Sequence, residues 1–460
     1  MSDKKYYDLT FSQKVMYYTL RYSPKKNLMN ICTSLWFKEE IDIDLLKKAL
    51  LISLNRIDAL NIHLTEINKN IKQYLSDEKY RDIEVLDYSD KSIEEIKQEF
   101  NKRACVEMKW KDCNLIDVVI AKVPENRVAL CVVVNHVIAD AWGLTVFMKD
   151  ALEVYLSLRE GKDLPEKPAS FLKVIEEELK YTDSQKMKDD EEYWKSVFDE
   201  APSYSSVNRK NVGKKYGRVG LDFTSTAKII ILPKEEVQVI NDYCKKNRIS
   251  PQVLYLLAMY CYLSMLNNKE HLLINNPLSR RSSIDVKRAS GMMVNVIELF
   301  IKCKRSMTFE EACDSIAEVQ LGAFKHGDYP YGNVIEFIKN KYVRGILKKG
   351  IIFADATLTY QLGKVKTEEP LDFDIMYHSN GASGMRLYLT IMDIADSGSL
   401  QFIYEYQIKA LDEEDIINIH SFIIRIIKTG IKNPEMTLQQ IIEEAEKNVY
   451  KKFLFENKKK

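Results

Sequence analysis

Net charge is almost absent from this 460-residue chain: 68 Lys and Arg stand against 67 Asp and Glu, a formal balance of +1 at pH 7. No global field draws it to nucleic acid or to an anionic membrane, so any partner must be read from a local site. Glycine (16) and proline (11) are few, and with 46% hydrophobic and 29% charged residues the composition is that of an ordinary globular protein. The eight cysteines (Cys32, Cys105, Cys113, Cys131, Cys244, Cys261, Cys303 and Cys313) form no Cys-x-x-Cys pair. The six histidines do not cluster with them, which argues against a metal site. Cys131 and Cys261 sit in apolar runs and read as small buried hydrophobes. The opening Met1-Ser2-Asp3-Lys4-Lys5 is polar, with no apolar segment behind it. The longest apolar stretch, residues 253–266, is shorter than the roughly 20 residues that span a bilayer. Reduced thiols, no targeting segment and no membrane insertion together lead us to expect a cytoplasmic protein. Glycine-rich phosphate loops are missing too, so the chain is not expected to activate its own substrate. Gly381-Ala382-Ser383-Gly384-Met385 breaks the Gly-x-Ser-x-Gly pattern at its last position.

What is present centres on one turn. Residues 128–134 are β-branched and nearly charge-free, the mark of a buried strand. From Leu144 onward, Leu144, Phe147, Met148, Ala151, Leu152, Tyr155 and Leu158 recur at helical spacing. Between strand and helix lie His136 and, four residues on, Asp140. A turn leaving a buried strand can hold an imidazole at the mouth of a cavity, where it can act as a general base. Its ordinary pKa near ~6.5 lets it accept a proton at cytosolic pH.

Around this turn the periodicity predicts a mixed α/β subdomain over residues 1–175. Helices are expected over 9–22, from Asp44, and over 93–105, with strands over 31–37 and 115–122. The pattern breaks between 161 and 212, and residues 176–217 are taken as a bridge, including a charged helix near 189–194. A second half, 218–460, opens with a strand over 227–232 and a helix over 235–246. Ser250-Pro251, an N-cap followed by proline, then starts a helix apolar on nearly all sides. Strands are expected over 292–301, with Asn295 in the middle, over 351–360, and as a pair over 387–391 and 400–406 turning at Asp396-Ser397-Gly398. Helices are expected over 309–324 and 412–430, ahead of a lysine-rich tail, and there is no solenoid repeat.

Several stretches then line up in order. Asn135-His136-Val137-Ile138-Ala139-Asp140-Ala141 resembles a His-His-x-x-x-Asp-Gly motif, and Phe11-Ser12-Gln13-Lys14-Val15 an opening Ser-x-x-Gln motif. Arg56-Ile57-Asp58-Ala59-Leu60-Asn61 is a weakened Arg-His-Glu-x-Leu-Arg. Asn276-Pro277-Leu278-Ser279-Arg280-Arg281, Gly291-Met292-Met293-Val294-Asn295 and His326-Gly327-Asp328-Tyr329-Pro330-Tyr331 follow at the expected places. Tyr404-Glu405-Tyr406 with Ala410-Leu411-Asp412 matches a closing strand and helix start. Over roughly residues 8–445 the chain resembles the condensation domains of nonribosomal peptide synthetases, within the chloramphenicol-acetyltransferase-like acyltransferases. A lone His-x-x-x-Asp is a weak signal; the ordered set is a strong one.

The resemblance implies an α/β, two-layer fold: a pseudodimer of two acetyltransferase-like subdomains in a V shape, with a central tunnel around His136. It implies attack of an amine, less often a hydroxyl, on a carrier-bound acyl thioester, with His136 as base or as the group positioning the amine. No bound cofactor is implied; the acyl group would arrive on the phosphopantetheine of an acyl or peptidyl carrier protein, or on coenzyme A. The other partner would be a small-molecule amine or alcohol, with no nucleic acid and no membrane insertion.

Each residue also has a plainer reading. His136 could be a buried, hydrogen-bonded histidine, and Asp140 a simple helix N-cap. In the family, Asp140 would instead pin the turn through an ion pair to Arg281. Asn135, Ala141, Trp142, Gly143 and Asn295 are expected as active-site neighbours; Asn295 points into the tunnel or bonds an adjacent edge. Asn135 replaces the family's first histidine and Ala141 its glycine. Alanine adds a methyl group and disfavours positive φ, freedom that Gly143 is expected to supply in part. The basic stretch 339–349 reads as a solvated helix face in preference to a phosphate-binding one. Three functions follow: a free-standing condensation enzyme, a coenzyme A-dependent acyltransferase, and a carrier-binding scaffold without turnover.

Overall fold

The computed structural model describes residues 4–344, 348, 350–361, 365–393 and 398–449. Lys349, the expected turn residues Asp396 and Ser397, and the lysine tail lie outside the described residues.

Hydrophobic periodicity accounts for the first half. Strand Arg127–Asn135 is buried at every position after its first residue. Alternate side chains serve two cores, as period-2 geometry requires. Leu130, Val132 and Val134 join the cluster under helices Ile43–Arg56 and Ala141–Glu160, while Ala129, Cys131 and Val133 pack toward Ile96 and Phe100 of helix Ile93–Ala104. The five-stranded sheet runs Phe373–His378, Asn30–Phe37, Arg127–Asn135, Ile116–Val123, Glu84–Asp87. Its first helix, Phe11–Tyr22, starts with a reciprocal capping box between Thr10 and Gln13.

The second half holds a six-stranded sheet in the order Asn295–Lys302, His271–Leu278, Ala356–Gln361, Leu387–Met392, Leu400–Gln407, Ser225–Leu232. Helix Pro251–Asn267 is its keystone. The Ser250 hydroxyl accepts from the Gln252 N–H, Pro251 takes the first turn, and every residue from Val253 to Cys261 is buried. Its all-round apolarity thus marks a core helix packed between sheet and outer helices, and among the described residues no single helix is long and apolar enough to cross a membrane.

Four expectations are revised. Asn295 opens its strand, Asn295–Lys302, and does not sit in its middle. The strand over 351–360 splits into Ile351–Ile352 and Ala356–Gln361. At the break, buried Asp355 accepts from the Tyr204 and Ser206 hydroxyls and pairs with Arg386. The bridge is largely helical, with Phe171–Thr182 straddling its start and Gln185–Val197 within it. Finally, a division at residue 218 does not separate the two sheets. Strand Phe373–His378, from the second half, completes the first sheet by pairing antiparallel with Asn30–Phe37.

Candidate active site at the junction of the halves

The turn after strand Arg127–Asn135 is held by its own backbone and by its neighbours. His136 N–H donates to the Met29 carbonyl at 2.6 Å, and the Asn135 side-chain oxygen accepts from Val137 N–H at 3.1 Å. Asp140 then caps helix Ala141–Glu160 by accepting from Gly143 N–H at 2.8 Å. Its two oxygens also take a bidentate grip from Arg281, both contacts at 2.9 Å, and Met293 N–H donates to one of them at 3.0 Å. Arg281 further donates to the Gly291 carbonyl at 3.1 Å. Cap and ion pair therefore coexist on one carboxylate. Both side chains are only 1% exposed, so neither charge can fall back on water.

His136 is half-buried and faces a cavity of about 380 Å³. The walls come from both halves: Ile31, Thr33, Leu144 and Met148 from the first, Pro277, Val296, Thr390 and Ile403 from the second. The His136 Nδ1 lies 3.2 Å from the Met292 sulfur. A thioether only accepts, so this contact is a hydrogen bond in the Nδ1–H tautomer, which leaves the lone pair on Nε2. Burial pushes the imidazole pKa below its ordinary 6.5, with the Asp140 charge opposing in part. The ring is neutral at neutral pH and able to take a proton.

The expected neighbours separate into those that face the cavity and those that do not. Ala141 lines it as the first residue of its helix, with φ on the negative side, so the positive-φ penalty expected for alanine does not arise. Gly143 supplies no unusual backbone freedom. A Cβ there would stand 2.8 Å from the Gly291 N and 3.0 Å from its carbonyl oxygen, so its absence permits a close approach of the two halves. Trp142 turns away, its indole N–H donating to the Lys287 carbonyl at 2.8 Å. The Asn295 amide also turns away, donating to the carbonyls of Gly327 at 2.8 Å and Tyr329 at 2.7 Å. The bond to an adjacent segment, and not the tunnel, is what its carboxamide satisfies. Asn135 is fully buried below the turn, its Nδ2 without a partner.

Comparisons with known proteins identify the family and the fold that carry this cavity. A family model described as the condensation domain matches residues 3–449. The chain belongs to the condensation domain family. It is 24% identical to a plipastatin synthase component of Bacillus subtilis (strain 168) over 439 residues, 95% of this chain but 17% of that protein. It is 22% identical to gramicidin S synthase 2 of Brevibacillus brevis over 98% of this chain and 10% of that one. The chain thus spans a small part of the relatives it matches. Among solved structures, the first condensation domain of the calcium-dependent antibiotic synthetase, in complex with a substrate analogue, superposes with a TM-score of 0.80. The identity is 15%, with 95% of this chain and 99% of that one covered. A mutant starter condensation domain of rhizomide synthetase, in complex with C8-CoA, gives 0.81 at 15% identity, covering 95% and 97%. The α/β pseudodimer expected from the motifs is therefore this fold.

Within this condensation domain the remaining motifs hold the frame. Arg56 pairs with Asp150, and Asp58 accepts from Phe171 N–H at 3.0 Å at the start of helix Phe171–Thr182. His326 contacts Asp190 of the bridge at 2.7 Å and stacks on Tyr193. Lys341, in the basic stretch, donates to the Phe198 carbonyl at 3.1 Å. Sequence reasoning overlooked the role of Arg280, half-buried, which pairs with Glu178 of the bridge at 3.1 Å and donates to the Ser12 hydroxyl of the first half. It also overlooked Met292 under the imidazole, and Tyr377 and Glu405, which line the cavity and hydrogen-bond each other. The signal available for the last of these was a glutamate, the strand's one ionisable carboxyl, two positions after Ile403 on the same face.

Proposed function

We propose that this condensation domain joins a small-molecule amine, or a hydroxyl, to an acyl or aminoacyl group carried as a thioester by a partner carrier protein. In the step, the nucleophile attacks the thioester carbonyl and gives its proton to Nε2 of His136. The new C–N or C–O bond forms, the C–S bond breaks, and the departing thiolate is reprotonated from the imidazolium. The observation that carries this reading is an imidazole, aimed by a hydrogen-bonded turn, facing a cavity built from both halves; burial, which lowers its pKa, supports a neutral base. Asp140 and Arg281 position the turn and do not touch the reacting atoms.

A coenzyme A thioester as donor is the second reading. A related domain was solved with C8-CoA, and coenzyme A ends in the same phosphopantetheine arm as a carrier protein. The Ala141 methyl, facing the cavity from a helical backbone, is compatible with turnover on either donor and removes the strain argument for a silent scaffold.

A paired mass-spectrometric transfer assay tests the reading. Wild type and His136→Ala receive one acyl pool on holo carrier proteins or on coenzyme A, with mixed amines and alcohols. Transfer from carriers that is lost in His136→Ala is the expected result. Transfer from coenzyme A alone moves the donor assignment to the second reading. Folded wild-type protein that transfers from neither donor, with carriers competent in a control reaction, overturns the enzyme.

A further inference from the structure

The cavity that His136 faces carries, on strands of the second half, one feature that the proposed acyl transfer does not use. Glu405 and Tyr388 are cross-strand partners on neighbouring strands, so their side chains emerge on the same sheet face. Tyr377, on the strand that crosses into the first sheet, reaches the same place and donates its hydroxyl to a Glu405 oxygen. All three line the cavity and remain partly exposed to it. Among the described lining residues Glu405 is the only carboxylic acid, and none is lysine or arginine. The rest of the wall is mostly aliphatic, methionine and hydroxyl side chains.

From this geometry we infer that Glu405 binds a protonated amino group of the substrate, selecting amines or aminoacyl groups that carry a second, non-reacting ammonium. An amine held by Glu405 as an ammonium has no lone pair, so it cannot be the nucleophile; the reacting amine is a different group of the same or the other substrate. The Tyr377 hydroxyl supports the anionic form of the carboxyl from one side. Burial acts against it and pushes the Glu405 pKa up. A guest cation supplies the missing counter-charge, whereas a guest carboxylate would be repelled. The tyrosine rings beside the carboxyl suit a cation as well, since their faces carry negative potential. The inference rests on the condensation reading for what the substrate is, but binding can be measured without turnover.

Isothermal titration calorimetry with two unreactive pantetheine amides tests it. One carries a lysyl group; the other carries 2-aminoheptanoyl, in which a methyl replaces the terminal ammonium. Wild type is expected to bind the lysyl compound about tenfold tighter or better, the range of a charge-assisted hydrogen bond in a shielded site. Glu405→Gln should erase that preference and leave the affinity for the 2-aminoheptanoyl compound within about twofold. Should that variant fail to fold by circular dichroism, Glu405→Asp, with the same charge on a shorter arm, is expected to reduce the preference. Equal affinities in wild type, absence of binding by both compounds, or a preference that survives Glu405→Gln overturns the assignment. The two proposals fail separately. A lysyl preference without His136-dependent transfer removes the enzyme and keeps the ammonium site; transfer confined to substrates with no second amine does the reverse.

Discussion

At the scale of single residues, burial sets the chemistry. In the proposed reaction His136 must be neutral to act as a base, and burial keeps it neutral to a lower pH than a free imidazole. With a hydroxyl nucleophile, whose own ionisation does not intervene, the rate of transfer should therefore rise with pH through a midpoint below about 6.5, which a pH profile of kcat/KM would check. A midpoint well above that value would contradict the assignment. Glu298 carries the opposite shift. It is buried on strand Asn295–Lys302, it accepts from the Tyr331 hydroxyl at 3.1 Å, and desolvation pushes its pKa up to about 7. The native state thus holds a proton that the unfolded chain releases from about pH 4.5 upward. Its contribution to stability is complete at acid pH and is lost as pH climbs through about 7. Glu298→Gln, which keeps the acceptor for Tyr331, should raise Tm at pH 8 and leave it nearly unchanged at pH 5 by scanning calorimetry. Neither shift was legible in the sequence. A histidine after an apolar run and a glutamate within a strand show residue type, while the direction of a pKa depends on which atoms surround it.

Among the elements, the helix Ala141–Glu160 shows how one side chain can serve a cap and a junction together. Asp140 has four donors from three segments: Gly143 N–H, two guanidinium nitrogens of Arg281, and Met293 N–H. Removing it leaves a buried guanidinium without its counter-charge, a loss of about 3–5 kcal/mol. Asp140→Ala should therefore lower the urea midpoint strongly and remove activity through a displaced turn. Asp140→Ala with Arg281→Met should recover part of the loss, because no unpaired charge remains. A fully active, fully stable Asp140→Ala protein would refute this account. Gly143 belongs to the same junction. Its Cβ would meet Gly291 backbone that has no room to yield, so Gly143→Ala should cost about 1–3 kcal/mol in urea unfolding despite alanine's higher helix propensity. The helix and its start were readable from periodicity and from an aspartate in cap position. The close approach to Gly291 was not, since the two glycines lie 148 positions apart and share no local pattern.

For the whole molecule, the two halves are joined by more than a bridge. Strand Phe373–His378 pairs along its length with Asn30–Phe37, and the Ser34 hydroxyl lies 2.6 Å from Nε2 of His378. The buried Asp140–Arg281 pair joins them again, and Arg280 ties the second half to Glu178 of the bridge. Trp36 reports on the first sheet and Trp194 on the second core. Their fluorescence changes should follow one transition on heating, with equal calorimetric and van't Hoff enthalpies; two separated transitions would show halves that fold independently. The strongly periodic helices and strands, the buried central helix and the turn bearing His136 were determined by the sequence alone, because hydrophobic period, caps and proline positions act over a few residues; short elements such as Glu84–Asp87 and Phe373–His378 were not. So was membership of the family, since its motifs are short and ordered. Only the tertiary structure decided which sheet receives Phe373–His378, which way the amides of Asn135 and Asn295 turn, and that Glu405, Tyr377 and His136 share one cavity. Those outcomes depend on residues hundreds of positions apart competing for the same buried hydrogen bonds and space, and no local pattern records which of them wins.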